Sequence, residues 1–325
     1  MDISIVLANF QTPAILFFCL GVVAKLLRSD LEIPPALAKG LSLYLLFSIG
    51  LRGGAELSEA GFSLRTLTPM VAGCVASALM PIGVYTVLKR KLGVVDAAAV
   101  AATYGSISAV TFITSCTFLQ DRGIHWSGHM VAVMALMESP AILVGVILAR
   151  RGSSSKTSEA NQFKVIVHEA FLNGPVFLLL GSLLIGVLMG EKGWHSVEPF
   201  ALAPFKGLLC LFLLDLGLVS ATRLGSLRGS GIFLCSYSIS IPIVHALIGI
   251  GTSYAIGLSC GDALLLTILF ASASYIAVPA ALRIAMPTAN PSLYLSMALG
   301  ITFPFNITFG IPLYWLAIQK IWGVS

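Results

Sequence analysis

Ten apolar runs, each closed by charged or turn residues, recur along this 325-residue chain. They cover Pro13–Leu27, Ala36–Leu51, Leu67–Leu88, Ala97–Leu119 and Met130–Ala149, then Phe171–Met189, Phe205–Ala221, Ile232–Gly257, Ala263–Ala285 and Leu293–Ile318. A helix rising about 1.5 Å per residue needs about 20 apolar residues to cross roughly 30 Å of hydrocarbon. Runs on this scale bury nothing unless a bilayer or a very large core surrounds them. Charge decides between the two. Only 10% of the residues are Asp, Glu, Lys or Arg and 57% are hydrophobic, against roughly 25% charged in soluble domains. So few polar side chains do not cover a water-facing surface of this size. Disorder needs the opposite composition. The expected fold is therefore an all-α polytopic membrane protein with ten transmembrane helices.

The net charge of +5 carries no nucleic-acid signal, because the basic residues sit in twos and threes at segment ends. There they read as orientation anchors. One set of alternate connections holds 13 of the 19 Lys and Arg residues. That side is expected to face the cytoplasm, with both termini outside. The lack of Lys or Arg before the first apolar run reads against a separate signal peptide. A polar, low-complexity stretch beginning Arg150-Arg151-Gly152-Ser153-Ser154-Ser155-Lys156 falls near mid-chain. It divides the chain into residues 1–150, a cytoplasmic linker at 151–164, and residues 165–325.

The two halves echo each other. Asp96-Ala97-Ala98 is answered by Asp262-Ala263-Leu264, and Tyr104-Gly105-Ser106-Ile107-Ser108 by Phe270-Ala271-Ser272-Ala273-Ser274, both 166 residues on. Gln11-Thr12-Pro13 pairs with Asn173-Gly174-Pro175, Ile49-Gly50-Leu51 with Leu216-Gly217-Leu218, Pro81 with Pro242, and Pro140 with Pro304. Five spans per copy put the second copy into the membrane upside down, and inverted repeats of this kind mark secondary transporters. A scaffold that arose by duplication is the plainer alternative.

In inverted-repeat carriers the substrate sits where paired helices are interrupted, at half-helix N-termini with unpaired N–H groups. Here the fourth and ninth helices are expected to be broken and to cross. Gly105, Ser106 and Ser108 face Ala271, Ser272, Ser274 and Tyr275 as the candidate substrate site. Hydroxyls and helix N-termini hold a small oxyanion without any basic side chain. Small residues that merely pack helices are the competing reading. Acids inside a membrane are functional by default. Glu138, before Pro140, and Asp215 are two such acids, and Thr302, Asn306 and Thr308 supply oxygens at the repeat equivalent of Glu138. These five are the candidate cation ligands, with Na+ placed at Glu138 and Asn306, since hard cations take oxygen donors. A buried structural hydrogen bond is the alternative for Glu138, and an ion pair with Arg52 the alternative for Asp215.

Other features are plainer. Asp96 and Asp262 read as N-caps, and Arg52 with Glu56 as a helical ion pair. The six cysteines lie singly in apolar runs and read as buried thiols. No H-E-x-x-H motif occurs, so an intramembrane metalloprotease is not indicated.

The chain resembles the sodium-dependent bicarbonate transporter family best known from cyanobacteria. The most specific stretch is Leu282-Arg283-Ile284-Ala285-Met286-Pro287-Thr288-Ala289-Asn290-Pro291-Ser292, with Ile49-Gly50-Leu51-Arg52-Gly53-Gly54, Gly105-Ser106-Ile107-Ser108 and Glu138-Ser139-Pro140-Ala141 beside it. The resemblance implies two inverted five-helix repeats, a core domain with crossed broken helices, a gate domain, a homotrimer and a PII-like cytosolic regulator. This chain departs from the family pattern where Tyr275, Ala277 and Val278 follow the ninth-helix serines, and where Glu138 replaces an aspartate. The reading is a secondary transporter of the plasma (inner) membrane, not an enzyme. It carries a small anion, foremost bicarbonate, with Na+ as coupling ion and no cofactor. A Na+- or H+-coupled carrier of another small anion, such as a short carboxylate, and a non-transporting sensor are the alternatives.

Overall fold

The computed structural model describes residues 3–61, 63–152, 174–226 and 231–323. Residues 153–164 of the expected linker lie outside them. All regular structure among the described residues is helical. In chain order the helices are α1 (Ile3–Phe10), α2 (Pro13–Leu26), α3 (Pro35–Ala60), α4 (Leu64–Gly105), α5 (Ala109–Gln120), α6 (His129–Gly152), α7 (Gly174–Leu202), α8 (Phe205–Ser226), α9 (Gly231–Ala255), α10 (Cys260–Ala271), α11 (Ala277–Ala285) and α12 (Pro291–Trp322). Over the described residues, each of the ten apolar runs falls largely on one of these helices or on a consecutive pair. Six helical stretches are long and apolar enough to cross a membrane, and α2 and α10 are shorter apolar helices. The protein is a multi-pass membrane protein.

The 42 residues of α4 are two helices meeting at Gly93, whose φ of 76° and ψ of 179° are not helical. Positive φ is a conformation that glycine reaches without a Cβ penalty. Gly93 therefore separates the third apolar run from the fourth.

The helices gather into two groups. In the first, α2 packs on α8 and α3 on α7. Small residues set these contacts. A Cβ on Gly21 would run into the Leu214 carbonyl and Gly217 of α8, and one on Gly54 into the Leu183 carbonyl and Gly186 of α7. With no hydrophobic drive between helices in lipid, such close backbone approach supplies the packing energy. In the second group α4 packs on α6, α9 on α10, and α12 on α9 and α10.

Two helices of the second group are broken as expected. The backbone unwinds after Gly105 and resumes at α5, and it unwinds after Ala271 and resumes at α11. The breaks lie against each other. Ser108 N–H donates to Ser272 Oγ at 2.9 Å, and Ser274 N–H to the Thr103 carbonyl at 2.9 Å.

Two aspartates do not cap helices as expected. Ser259 caps α10, its hydroxyl accepting from Asp262 N–H. The Asp262 carboxylate instead accepts from Ser127 N–H at 2.7 Å and Ser127 Oγ–H at 2.8 Å, just ahead of α6. Asp96 likewise accepts from Asn290 N–H, at the N-cap of α12, at 2.8 Å. Spacing alone shows a helix start but not which chain end lies opposite it.

The C-terminal α12 is not a regular α-helix. Two π-helical turns, Ser296–Thr302 and Asn306–Gly310, flank Phe303–Phe305, which contains Pro304. Pro304 has no N–H to donate. Asn9 of α1, a buried residue, donates its amide to the Ile307 and Thr308 carbonyls at 2.9 and 3.0 Å.

Gly217→Leu or Gly54→Leu is expected to lower stability by about 1–3 kcal/mol through overpacking. Gly40→Ala, whose Cβ meets nothing within 4 Å, serves as the silent control. Thermal unfolding in detergent measures the difference, and equal melting of Gly217→Leu and wild type removes the close-packing argument.

Candidate functional site

Every backbone group freed by a helix break inside a membrane needs a partner, because no water is at hand. Following those partners separates structural hydroxyls from free ones. Ser272 Oγ accepts from Ser108 N–H and donates to the Leu269 carbonyl at 3.2 Å. Ser106 Oγ donates to the Glu138 carbonyl at 3.1 Å. Both hydroxyl protons are committed, so these two serines hold the breaks in place.

Ser108 and Ser274 differ. Ser108 Oγ accepts from Thr111 N–H at 3.2 Å and from Thr111 Oγ1 at 2.9 Å. Ser274 Oγ accepts from Val278 N–H at 3.3 Å. Each is the first-turn cap of its half-helix, and each keeps its own O–H proton to give. Tyr275 adds a third O–H, buried and without a partner among the described residues. Its ring is held edge-on to Phe303 at 5.3 Å.

These three side chains line one cleft of about 480 Å³, together with Glu138. Ala109 and Val110, at the start of α5, line it as well, and the first N–H groups of a helix have no partner within it. Among the described residues, no Lys or Arg lines the cleft. Glu138 is only 7% exposed, and its carboxyl group makes no hydrogen bond or ion pair with a described residue. The far wall comes from the other helix group, through Ser42, Leu45 and Leu46 of α3, Leu179 of α7 and Phe212 of α8. These wall residues were invisible in sequence. They are ordinary members of apolar runs, and only the fold brings them opposite Ser108.

The remaining candidates are elsewhere. Asn306 donates its amide to the Ala271 carbonyl at 2.8 Å, the last carbonyl before the second break, and its Oδ1 accepts from Tyr314 O–H at 3.3 Å. Thr302 Oγ1 donates to the Ser238 carbonyl at 2.7 Å and lies 2.7 Å from Tyr104 Oη. Thr308 Oγ1 donates to the Pro304 carbonyl at 2.6 Å. These three have hydrogen bonds of their own, and none of them lines the cleft. Asp215 is half-buried on α8, one turn after Phe212. Arg52 is engaged with Glu56 at 3.0 Å and stacks 5.2 Å over Trp126, so it does not reach Asp215. Gly105 and Ala271 end the two half-helices. A Cβ at Gly105 would strike the ring of Pro81.

A multi-pass helical protein with two facing helix breaks, free hydroxyls and a buried acid beside them has the features of a membrane transporter. Residues 13–319 match the model of the Na+-dependent bicarbonate transporter superfamily, and the chain belongs to that superfamily. No curated protein matches the chain.

Substitutions separate the two kinds of polar residue. Asn306→Leu strands the Ala271 carbonyl and is expected to cost about 1–3 kcal/mol in thermal unfolding. Tyr275→Phe keeps the ring and removes an unpartnered hydroxyl, so its melting temperature should equal or exceed the wild type. The reverse ranking would overturn the division into structural and free groups.

Proposed function

We propose that this protein is a secondary active transporter that takes up bicarbonate together with Na+, binding the anion in the Ser108–Ser274–Tyr275 cleft. The observation that carries the reading is the donor count in that cleft. Three hydroxyl protons with no acceptor among the described residues and the leading N–H groups of α5 line it, with no Lys or Arg among the described residues beside them. A small oxyanion needs such donors, and helix N-termini favour its charge. Superfamily membership supports bicarbonate as that anion.

Glu138 explains the coupling. A carboxylate buried beside an anion site is unfavourable unless a cation joins it. Na+ at the Glu138 carboxylate offsets that cost, and the anion then completes a neutral set. Each ligand thereby favours the other, which is thermodynamic coupling. Asn306, expected from sequence to join Glu138 as a Na+ ligand, enters this reading as a support for the second break.

Several pairings in the structure support two inverted five-helix repeats. The Gly21–Gly217 contact has its counterpart in Gly186–Gly54. The positive-φ residues Gly93 and Gly257 stand 164 positions apart. Asp96 reaches the start of α12 just as Asp262 reaches the residues before α6. Repeats of opposite sense alternate access by moving one group against the other around a fixed site. The cleft lies between the two groups, where such motion opens and closes it. The α2, α3, α7 and α8 group is then the gate, and the remainder the core. The basic excess places the linker in the cytoplasm, and family membership brings a homotrimer and a PII-like cytosolic regulator into the same reading.

A second reading, proton coupling, is favoured by Glu138 itself, since a proton neutralises the carboxyl as well as Na+ does. Reconstitution into liposomes decides. Labelled bicarbonate uptake should follow an inward Na+ gradient and fall to background in Glu138→Gln. Ser108→Ala/Ser274→Ala should raise the KM for bicarbonate about tenfold or more, as expected for two lost hydrogen bonds to a charged ligand. Uptake driven by a pH gradient without Na+ supports the second reading. Wild-type transport by the double variant would remove the anion site from this cleft.

A further inference from the structure

A larger cavity than the cleft lies away from it, between the first half of α4 and α9, with about 1500 Å³ of empty space open to the surroundings. Its walls are mainly apolar, with Val75, Leu79 and Val87 on one side and Val244 and Ile248 on the other, and Ser240, Thr252 and the buried His245 interrupt them on the α9 side. All five are about half exposed. Gly83 forms part of the floor, and a Cβ there meets nothing within 4 Å. The two helices thus leave an open trough along the hydrocarbon-facing side of the protein.

One end of the trough has a different chemistry. There α4 continues into Lys89-Arg90-Lys91, all exposed. Lys91 Nζ lies 3.9 Å over the ring of Phe233, on α9, and Lys89 Nζ lies 5.6 Å from the ring of Tyr85. None of the three pairs with a carboxylate among the described residues. One turn deeper, Tyr237 of α9 lines the trough with a buried hydroxyl that has no partner there.

The order along the trough is cations, then a hydroxyl donor, then a mainly apolar wall in which His245 and Thr252 are set. A phospholipid presents the matching sequence of phosphate, ester oxygens and acyl chain. We propose that this trough is a binding site for one anionic phospholipid, with its phosphate at Lys89–Lys91, an ester oxygen at Tyr237 and an acyl chain over Gly83. The exposed Lys89, Arg90 and Lys91, with Lys91 held toward α9 over Phe233 and none paired with a carboxylate among the described residues, favour a net negative headgroup over a zwitterionic one, as basic pockets at the ends of membrane helices do. This end of α4 lies on the side to which the basic excess assigns the cytoplasm, where anionic lipids face such clusters. A second copy of the chain docked here would bring its own apolar face but nothing to neutralise the cations.

Native mass spectrometry of the full chain, supplied with phosphatidylglycerol and phosphatidylcholine, tests the site. The wild type should retain phosphatidylglycerol preferentially. Lys89→Gln/Arg90→Gln/Lys91→Gln removes the headgroup contacts, and Gly83→Leu fills the trough without a clash. Each should lower phosphatidylglycerol retention about tenfold or more. Equal retention of the two lipids, or wild-type retention by either variant, would overturn the proposal. So would a Gly83→Leu variant that keeps its lipid but changes its oligomeric state, because the trough would then hold a second copy.

Discussion

Backbone groups cut loose inside a bilayer have no solvent to bond to, and two helices of this protein are cut open there. Most of the second helix group can be read as an answer to that problem. Ser272 serves the first break from within the second, while Ser274 N–H returns to Thr103. Asn306 takes up the Ala271 carbonyl, and Asn9 takes up two carbonyls of the π-helical turns that bring Asn306 into place. Unmatched groups at this depth cost several kcal/mol each. The breaks therefore persist only because partners arrive from α4, the end of α10 and α12, with α1 holding the last of these in place. What is left over after this matching, two serine protons and one phenol, is what the cleft has to offer a ligand.

Much of the fold was legible because membrane helices obey a simple length rule. The ten apolar runs, the repeat offset of 166 residues and the two S-x-S clusters led directly to the breaks. The division of labour within those clusters was not legible. Ser106 and Ser108 look alike in sequence, yet one bonds a neighbouring helix and the other caps its own. Only the direction of each O–H separates them. Asn306 and Thr302 stand at the right repeat position, and each makes hydrogen bonds across helices away from the cleft. The aspartates at 96 and 262 were misread because a capping pattern is local, whereas their real partners are 194 and 135 residues away. The covering wall of Leu45, Leu46 and Phe212 carries no sequence signal at all, since it is apolar on apolar.

Tyr275 gives the cleft its individual character. A small residue there would leave more open space beside Ser108. The phenol fills it, packs on Phe303 and lends a donor. Such a pocket favours a compact ligand with oxygens to share over a longer one with an apolar tail. Its acid, Glu138, is the opposite pole of the same small volume, which makes neutrality a condition of filling it.

The two aspartate ties have a mechanical meaning. Asp262 fastens the beginning of one broken helix to the residues that start α6, and Asp96 fastens the other to the start of α12. Glu138 rides on α6 and Asn306 on α12. Neither half-helix can therefore slide along its axis without dragging the residue that guards the opposite break. The side of the cleft that carries the two breaks is thus bolted into one frame, while its far wall, from α3, α7 and α8, stands outside those ties.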